Sequence, residues 1–157
     1  MTDLQMRFQS EEALRSWVVE GLRPRLKDRA LILSSKNVND IVICIERSSG
    51  PRALFVEVKY ATIQKGRIGI GDGRGVGFQP EILVKQPSYF EAYTRWLVAA
   101  ESGKAVLVDN AAIRSHAMGK LIVEGKQNNL KPSVFDEGPF EIEDAIERIA
   151  QWVESVP

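Results

Sequence analysis

The stretch NDIVICIERSSGPRALFVEVK, residues 39–59, decides the fold of this chain. The apolar run at 41–45 is long enough for a strand that is buried on both faces. Ser, Gly and Pro at 48–51 mark a turn, and the apolar run at 53–58 predicts a second strand. The stretch therefore predicts two neighbouring strands joined by a short turn.

Three charged residues flank these strands. Side chains alternate across a strand, so Glu57 and Lys59 point to the same face. If the two strands are antiparallel, Asp40 returns to the level of that pair. A charge in apolar surroundings is costly unless it is paired or bound to a metal. A Mg²⁺ ion suits one or two carboxylates together with a substrate phosphate, so this edge of the sheet is a candidate metal site.

The rest of the composition sets broad limits. A chain of 157 residues predicts one domain spanning 1–157. The 21 basic and 21 acidic residues cancel, but residues 1–79 carry 13 basic and 9 acidic residues, net +4, and residues 80–157 carry 8 and 12, net −4. The half that contains the two strands is the more basic one, which favours an anionic partner.

Cysteine content and hydropathy exclude several classes of protein. The single cysteine, Cys44, rules out an intramolecular disulfide and a cysteine zinc site, and its apolar neighbours predict a core residue. No apolar run approaches the ~20 residues of a membrane span. The N-terminal residues lack the apolar core of a secretory signal. We therefore expect a soluble, cytoplasmic protein without a membrane partner.

Helices and further strands surround the central stretch. Ser10 is a suitable N-cap for a helix over 10–22, with Glu11 and Glu12 in its first turn, and Gly21 and Pro24 predict its end. The other predicted elements are a strand at 30–33, a long helix at 86–101, strands at 104–109 and 120–124, a loop at 128–139 and a last helix at 141–153. His116 falls in a polar loop and is expected at the surface.

A glycine-rich segment, QKGRIGIGDGRGVGFQ, occupies residues 64–79. A dinucleotide-binding loop fits poorly, because such a loop should lead directly into a helix. The segment predicts either a plain surface hairpin or a basic loop that contacts DNA. In the second interpretation Lys65, Arg67 and Arg74 are the DNA-binding residues.

The predicted order is helix, three strands, helix, strand and a final helix, with Asp40 and the Glu57-x-Lys59 motif falling on it in sequence. This pattern resembles the PD-(D/E)xK nuclease superfamily over roughly residues 10–110. The resemblance implies a mixed α/β (α+β) fold: a restriction-endonuclease-like αβββαβ core on a mixed sheet, with an extra C-terminal helix.

The resemblance also implies roles for single residues. Asp40 and Glu57 match the two metal-binding carboxylates, although Asn39 replaces the proline of the motif. Lys59 matches the lysine that orients or activates water and stabilises the phosphorane. Glu11 matches a helix-1 glutamate that supports the metal, with Glu12 as the alternative. Gln86 resembles a glutamine that opens the helix after the third strand, although the long insertion before it departs from the smallest members.

The resemblance implies a Mg²⁺-dependent DNA endonuclease, with Mn²⁺ as a substitute, that hydrolyses phosphodiester bonds at selected sites in the manner of restriction or homing enzymes. Alternatives are a structure-selective nuclease of the resolvase or repair type, and a non-catalytic module of the same fold that binds nucleic acid or protein. A third alternative is a small-ligand α/β protein that uses the glycine-rich segment. A subunit this small, with one active site, is expected to form a homodimer or homotetramer in order to cut both DNA strands.

Overall fold

A computed structural model describes residues 8–34, 40–61, 66–70, 78–121 and 128–157. The helices are α1 (Glu11–Leu26), α2 (Phe78–Lys85), α3 (Ser88–Tyr93), α4 (Asn110–Ser115) and α5 (Ala145–Ser155). The strands are β1 (Ala30–Ser34), β2 (Ile41–Arg47), β3 (Gly50–Ala61), β4 (Ile68–Ile70), β5 (Thr94–Ala100), β6 (Lys104–Val108), β7 (Asn128–Leu130) and β8 (Phe140–Glu141). Short 3₁₀ helices cover Lys27–Arg29, Pro132–Asp136 and Ile142–Asp144.

The central feature is a six-stranded mixed sheet in the order β1-β2-β3-β5-β6-β8. Strands β3 and β5 are parallel, and the other four neighbouring pairs are antiparallel. Strands β4 and β7 form a separate two-stranded sheet. The predicted α/β class with a mixed sheet is confirmed, and so is the antiparallel pairing of β2 with β3.

Two apolar cores cover the two faces of the sheet. On β5, Leu97 and Ala99 belong to one core, whereas Trp96 and Val98 belong to the other, as strand alternation requires. The first face, which we call the α1 face, packs against buried residues of α1 and α5. The second, which we call the Trp96 face, packs against residues of α2, α4, β4 and β7.

Helix α1 begins as predicted but ends later. The Ser10 hydroxyl accepts a hydrogen bond from the amide of Ala13 at 3.1 Å, which confirms the N-cap. The predicted end near Leu22 is wrong, because the helix passes through Pro24 to Leu26. Leu26 is buried, and Arg25 pairs with Glu147 and Glu154 of α5, so tertiary contacts outweigh the missing amide of proline.

The predicted long helix at 86–101 is also wrong. The structure has the six-residue helix α3 and then strand β5, with Gln86 outside both. Residues 96–99 are buried without interruption, and periodicity does not distinguish such a run from a buried helix. Pairing with β3 and β6 on both sides makes this run a central strand.

Several smaller expectations need correction. The strand at 104–109 and the last helix are confirmed, with a 3₁₀ turn at the start of the latter. The predicted loop at 128–139 contains β7 and a 3₁₀ helix. In the predicted strand at 120–124, residues 120 and 121 are not in a strand and the others lie outside the described residues. Cys44 is half-buried rather than a full core residue.

His116 is half-buried rather than fully exposed at the surface. Its side chain is 16% exposed, with Nδ1 2.8 Å from Ser133 Oγ and Nε2 2.8 Å from Glu137 Oε1. These bonds join the end of α4 to the 3₁₀ helix at Pro132–Asp136 and to the residue after it.

Among the described residues, no helix is both long enough and apolar enough to cross a membrane.

The close approach of α1 and α5 gives a prediction on stability. A Cβ atom on Gly21 would lie 2.0 Å from Cδ1 of Ile146. Alanine in place of a helical glycine gains up to ~1 kcal/mol from propensity, but overpacking costs ~1–3 kcal/mol. We expect Gly21→Ala to lower the free energy of unfolding by about 1 kcal/mol in urea titrations. In the Ile146→Ala background, which lacks both Cδ1 and the Cγ1 atom at 2.8 Å, Gly21→Ala should no longer be destabilising, and a net gain in the wild-type background would contradict the expected clash.

Candidate active site

The candidate site lies where β3 extends past its neighbour β2. Ile41 begins β2 and pairs with Val56, so residues 57–61 of β3 continue beyond it. Two carboxylates take the place of a neighbouring strand at this edge. Asp40 Oδ2 accepts a hydrogen bond from the amide of Val58 at 2.7 Å, and Glu11 Oε2 accepts one from the amide of Tyr60 at 3.3 Å.

Glu57 and Lys59 lie on the same stretch of β3. They pair in register with Trp96 and Val98 of β5, which puts them on the Trp96 face. Glu57 is fully buried and Lys59 is 9% exposed. Lys59 Nζ lies 3.7 Å from Glu11 Oε1, so the helix-1 glutamate contacts both the lysine and the strand edge.

The register brings Asp40 to the level of Glu57, as the sequence predicted for an antiparallel pair. It is Glu11, not Glu12, that faces this cluster, because the Glu12 side chain is 64% exposed. Four of the five predicted catalytic residues therefore lie at one end of the sheet. They come from the first turn of α1, the residue before β2 and the second half of β3.

Gln86 is not brought to this cluster. It is exposed, has a φ angle of 53° and lies between α2 and α3. The Tyr89 hydroxyl bonds both main-chain groups of Ala53, at 2.8 and 3.0 Å, which fixes this segment beside the first half of β3. Of the predicted DNA-binding residues, Arg67 is exposed directly before β4, and Lys65 and Arg74 lie outside the described residues.

Sequence reasoning missed Arg15. Its Nη1 atom lies 3.2 Å from Oδ1 of Asp40, and both side chains are 12% exposed. Arg15 follows Glu11 by one helical turn, so the two side chains project from the same side of α1. That spacing is visible in the sequence, but it does not reveal that this side of α1 faces the end of β3.

The donor atoms decide which metal the cluster suits. Asp40, Glu57 and Glu11 offer only carboxylate oxygens, which favour hard ions such as Mg²⁺ or Mn²⁺. Within the described residues, no three Asp, Glu, His or Cys side chains are close enough to hold a metal ion by themselves. A Mg²⁺ site needs only one or two carboxylates when water and phosphate complete the shell, so Asp40 and Glu57 fit such an ion.

The opposite end of β1, β2 and β3 has an open cleft of about 940 Å³. Three arginines line it, and all three are held by other groups of the protein. Arg52 donates to Ser49 Oγ at 2.8 Å and to the Pro51 carbonyl at 3.0 Å. Arg29 pairs with Glu154 at 3.1 Å, and Arg47 donates to the carbonyls of Val153 and Val156, each at 2.8 Å. Arg29 and Arg47 thus bind the C-terminal part of α5, so the cleft adds nothing to the candidate site.

Comparison of the sequence with protein-family models and with curated proteins finds no match.

Proposed function

We propose that this chain is a Mg²⁺-dependent DNA endonuclease of the PD-(D/E)xK superfamily. The main support is the meeting of Asp40, Glu57, Lys59 and Glu11 at the end of β3, where four charged side chains crowd an otherwise apolar sheet. The order α1, β1, β2, β3, then helix and parallel strand β5 agrees with an αβββαβ core. A largely buried charged cluster of this kind is expensive to keep, which favours a functional role.

In this proposal the residues have separate tasks. Asp40 and Glu57 hold the ion, which when bound supplies charge neutralisation and a more acidic water. Lys59 presents a fixed positive charge to the developing phosphorane. Glu11 holds the ammonium of Lys59 and so fixes its direction. Mn²⁺ replaces Mg²⁺ because it accepts the same oxygen ligands.

The proposed substrate is double-stranded DNA that is cut at selected sequences by a homodimer or homotetramer. Arg67 is exposed and reaches solvent before β4, so it is available for a base edge or a phosphate. The roles of Lys65 and Arg74 in the same segment remain predictions from the sequence. A structure-selective nuclease would use the same cluster on a junction or a damaged site.

One observation favours a second candidate, a nucleic-acid-binding module without catalysis. Both oxygens of Asp40 already accept hydrogen bonds, one from Val58 and one from Arg15. An aspartate that serves only to cap a strand edge would look the same. In a nuclease the same carboxylate would also bind an ion, either through a lone pair that these donors leave open or in place of one of them.

Nicking of supercoiled plasmid separates the two functions. We expect nicking with Mg²⁺ or Mn²⁺, whereas Ca²⁺ should support DNA binding with little cleavage. Ca²⁺ accepts looser geometry and more ligands, so it neutralises the carboxylates without placing the water. Tight DNA binding without nicking in Mg²⁺ or Mn²⁺ would favour the binding module, and equal turnover in Mg²⁺ and Ca²⁺ would contradict the proposed site.

A further inference from the structure

The two hydrogen-bond donors to Asp40 are attached to the fold in different ways. The amide of Val58 belongs to the sheet and holds Asp40 Oδ2 at 2.7 Å. The guanidinium of Arg15 holds Oδ1 at a longer 3.2 Å and stands at the end of a long side chain. Of the two donors, only Arg15 can leave without disturbing the backbone.

A metal ion that binds Oδ1 of Asp40 would compete for this oxygen with Arg15 in its present position. Mg²⁺ binds carboxylate oxygens at about 2.0–2.1 Å, so it would lie within a few ångström of the guanidinium. Two cations at that separation in a largely buried site repel strongly, because little water screens them. Arg15 is therefore the cation that neutralises Asp40 in the metal-free protein, and this repulsion favours its departure when the ion enters.

A second carboxylate, that of Glu12, lies beside the guanidinium of Arg15. Glu12 Oε1 lies 3.9 Å from Nη2 and its side chain is 64% exposed, so the second partner of Arg15 points toward solvent. Arginine binds phosphate through parallel hydrogen bonds, and a DNA backbone at the site would bring phosphates to this rim. Glu12 therefore places an anion at the exposed rim beside Arg15.

We propose that Arg15 is an exchangeable counter-ion. It pairs with Asp40 before the ion binds, and it transfers to a phosphate of the bound DNA afterwards. This inference rests on the proposed nuclease function and adds a residue to it. It makes metal entry and DNA binding mutually supportive, since each gives the arginine or the aspartate its new partner.

Metal affinity without DNA tests the first half. The probe is Mn²⁺, followed by electron paramagnetic resonance with wild-type protein and with Arg15→Gln, which removes the charge. We expect Arg15→Gln to bind Mn²⁺ about tenfold more tightly, which corresponds to about 1.4 kcal/mol. Arg23→Gln is the matched control, because Arg23 is exposed on the same helix two turns away and should leave the affinity unchanged.

DNA binding in Ca²⁺ tests the second half. We expect Arg15→Gln to bind duplex DNA several-fold more weakly, with a salt dependence shallower by about one phosphate contact. Arg15→Lys keeps the charge, so it should bind Mn²⁺ nearly as wild type does and retain most of the salt dependence. It also serves as a second variant if the glutamine variant is poorly folded by circular dichroism.

The outcomes separate this inference from the function on which it rests. If wild-type protein binds no Mn²⁺, or if Glu57→Gln binds it equally well, the proposed nuclease site itself fails. If Glu57 is needed for Mn²⁺ binding but Arg15→Gln leaves the Mn²⁺ affinity unchanged, the exchange is wrong and the nuclease stands. An unchanged salt dependence with tighter Mn²⁺ binding would likewise overturn the transfer to phosphate.

Discussion

Glu57→Gln is expected to remove DNA cleavage, with a fall in the single-turnover nicking rate on the order of 10³-fold or more. Glu57 is the fully buried carboxylate of the cluster, and its amide isostere keeps the shape while losing the charge that binds the ion. The fold should survive, because replacing a buried carboxylate by a neutral group of similar size lowers the cost of desolvation.

The control for this variant is Glu46→Gln. Glu46 is an exposed glutamate near the end of β2, away from the cluster, and its replacement should leave the nicking rate within about twofold of wild type. Nicking by Glu57→Gln at the wild-type rate in Mg²⁺ would remove the basis for the proposed mechanism.

Asn110→Ala is expected to destabilise the fold strongly, although Asn110 lies outside the candidate site. Asn110 is fully buried at the start of α4; its Oδ1 accepts from Trp96 Nε1 at 2.7 Å, and its Nδ2 donates to the Phe90 carbonyl and to Glu91. Arg114 also pairs with Glu91 through two hydrogen bonds, which lower the pKa of that carboxyl. The alanine variant leaves a buried indole N–H without its acceptor.

We expect Asn110→Ala to cost about 3 kcal/mol of unfolding free energy and to lower the Tm by roughly 6–12 °C. A double-mutant cycle with Trp96→Phe is the sharpest control, because phenylalanine removes the N–H that the variant leaves unsatisfied. The double variant should be more stable than the sum of the two single effects predicts. Simple additivity would show that the indole–amide bond does not carry the effect.

The part of the fold that the sequence predicts best is the β2–β3 pair. A turn of Ser, Gly and Pro between two short apolar runs leaves few alternatives, and the pairing of Ile41 with Val56 then brings Asp40 to the level of Glu57. The same local logic predicts the start of α1 at Ser10. These features depend on neighbours in the sequence, which is why they are visible before the chain is folded.

The features that the sequence does not reveal depend on distant contacts. Residues 96–99 form a strand because β3 and β6 flank them, and helical spacing of the aromatic residues before them is equally compatible with a helix. Helix α1 passes Pro24 because Leu26 is buried in the core and Arg25 pairs with two glutamates more than 120 residues away. Arg15 joins the site because the start of α1 crosses the end of β3, and nothing in the sequence around Arg15 specifies that crossing.

The carboxylates at the end of β3 also affect how the protein behaves in solution. An unpaired strand edge is a template on which other chains can add, and charge at that edge discourages such growth. Asp40 and Glu11 occupy the amides of Val58 and Tyr60 that an incoming strand would need. Removing either carboxylate frees an edge amide, which promotes aggregation, and also alters the candidate site. Loss of activity in Asp40→Ala could therefore come from aggregation or from the loss of a metal ligand. Glu57 projects from the face of the strand rather than its edge, which makes it the cleaner residue for testing chemistry apart from solubility.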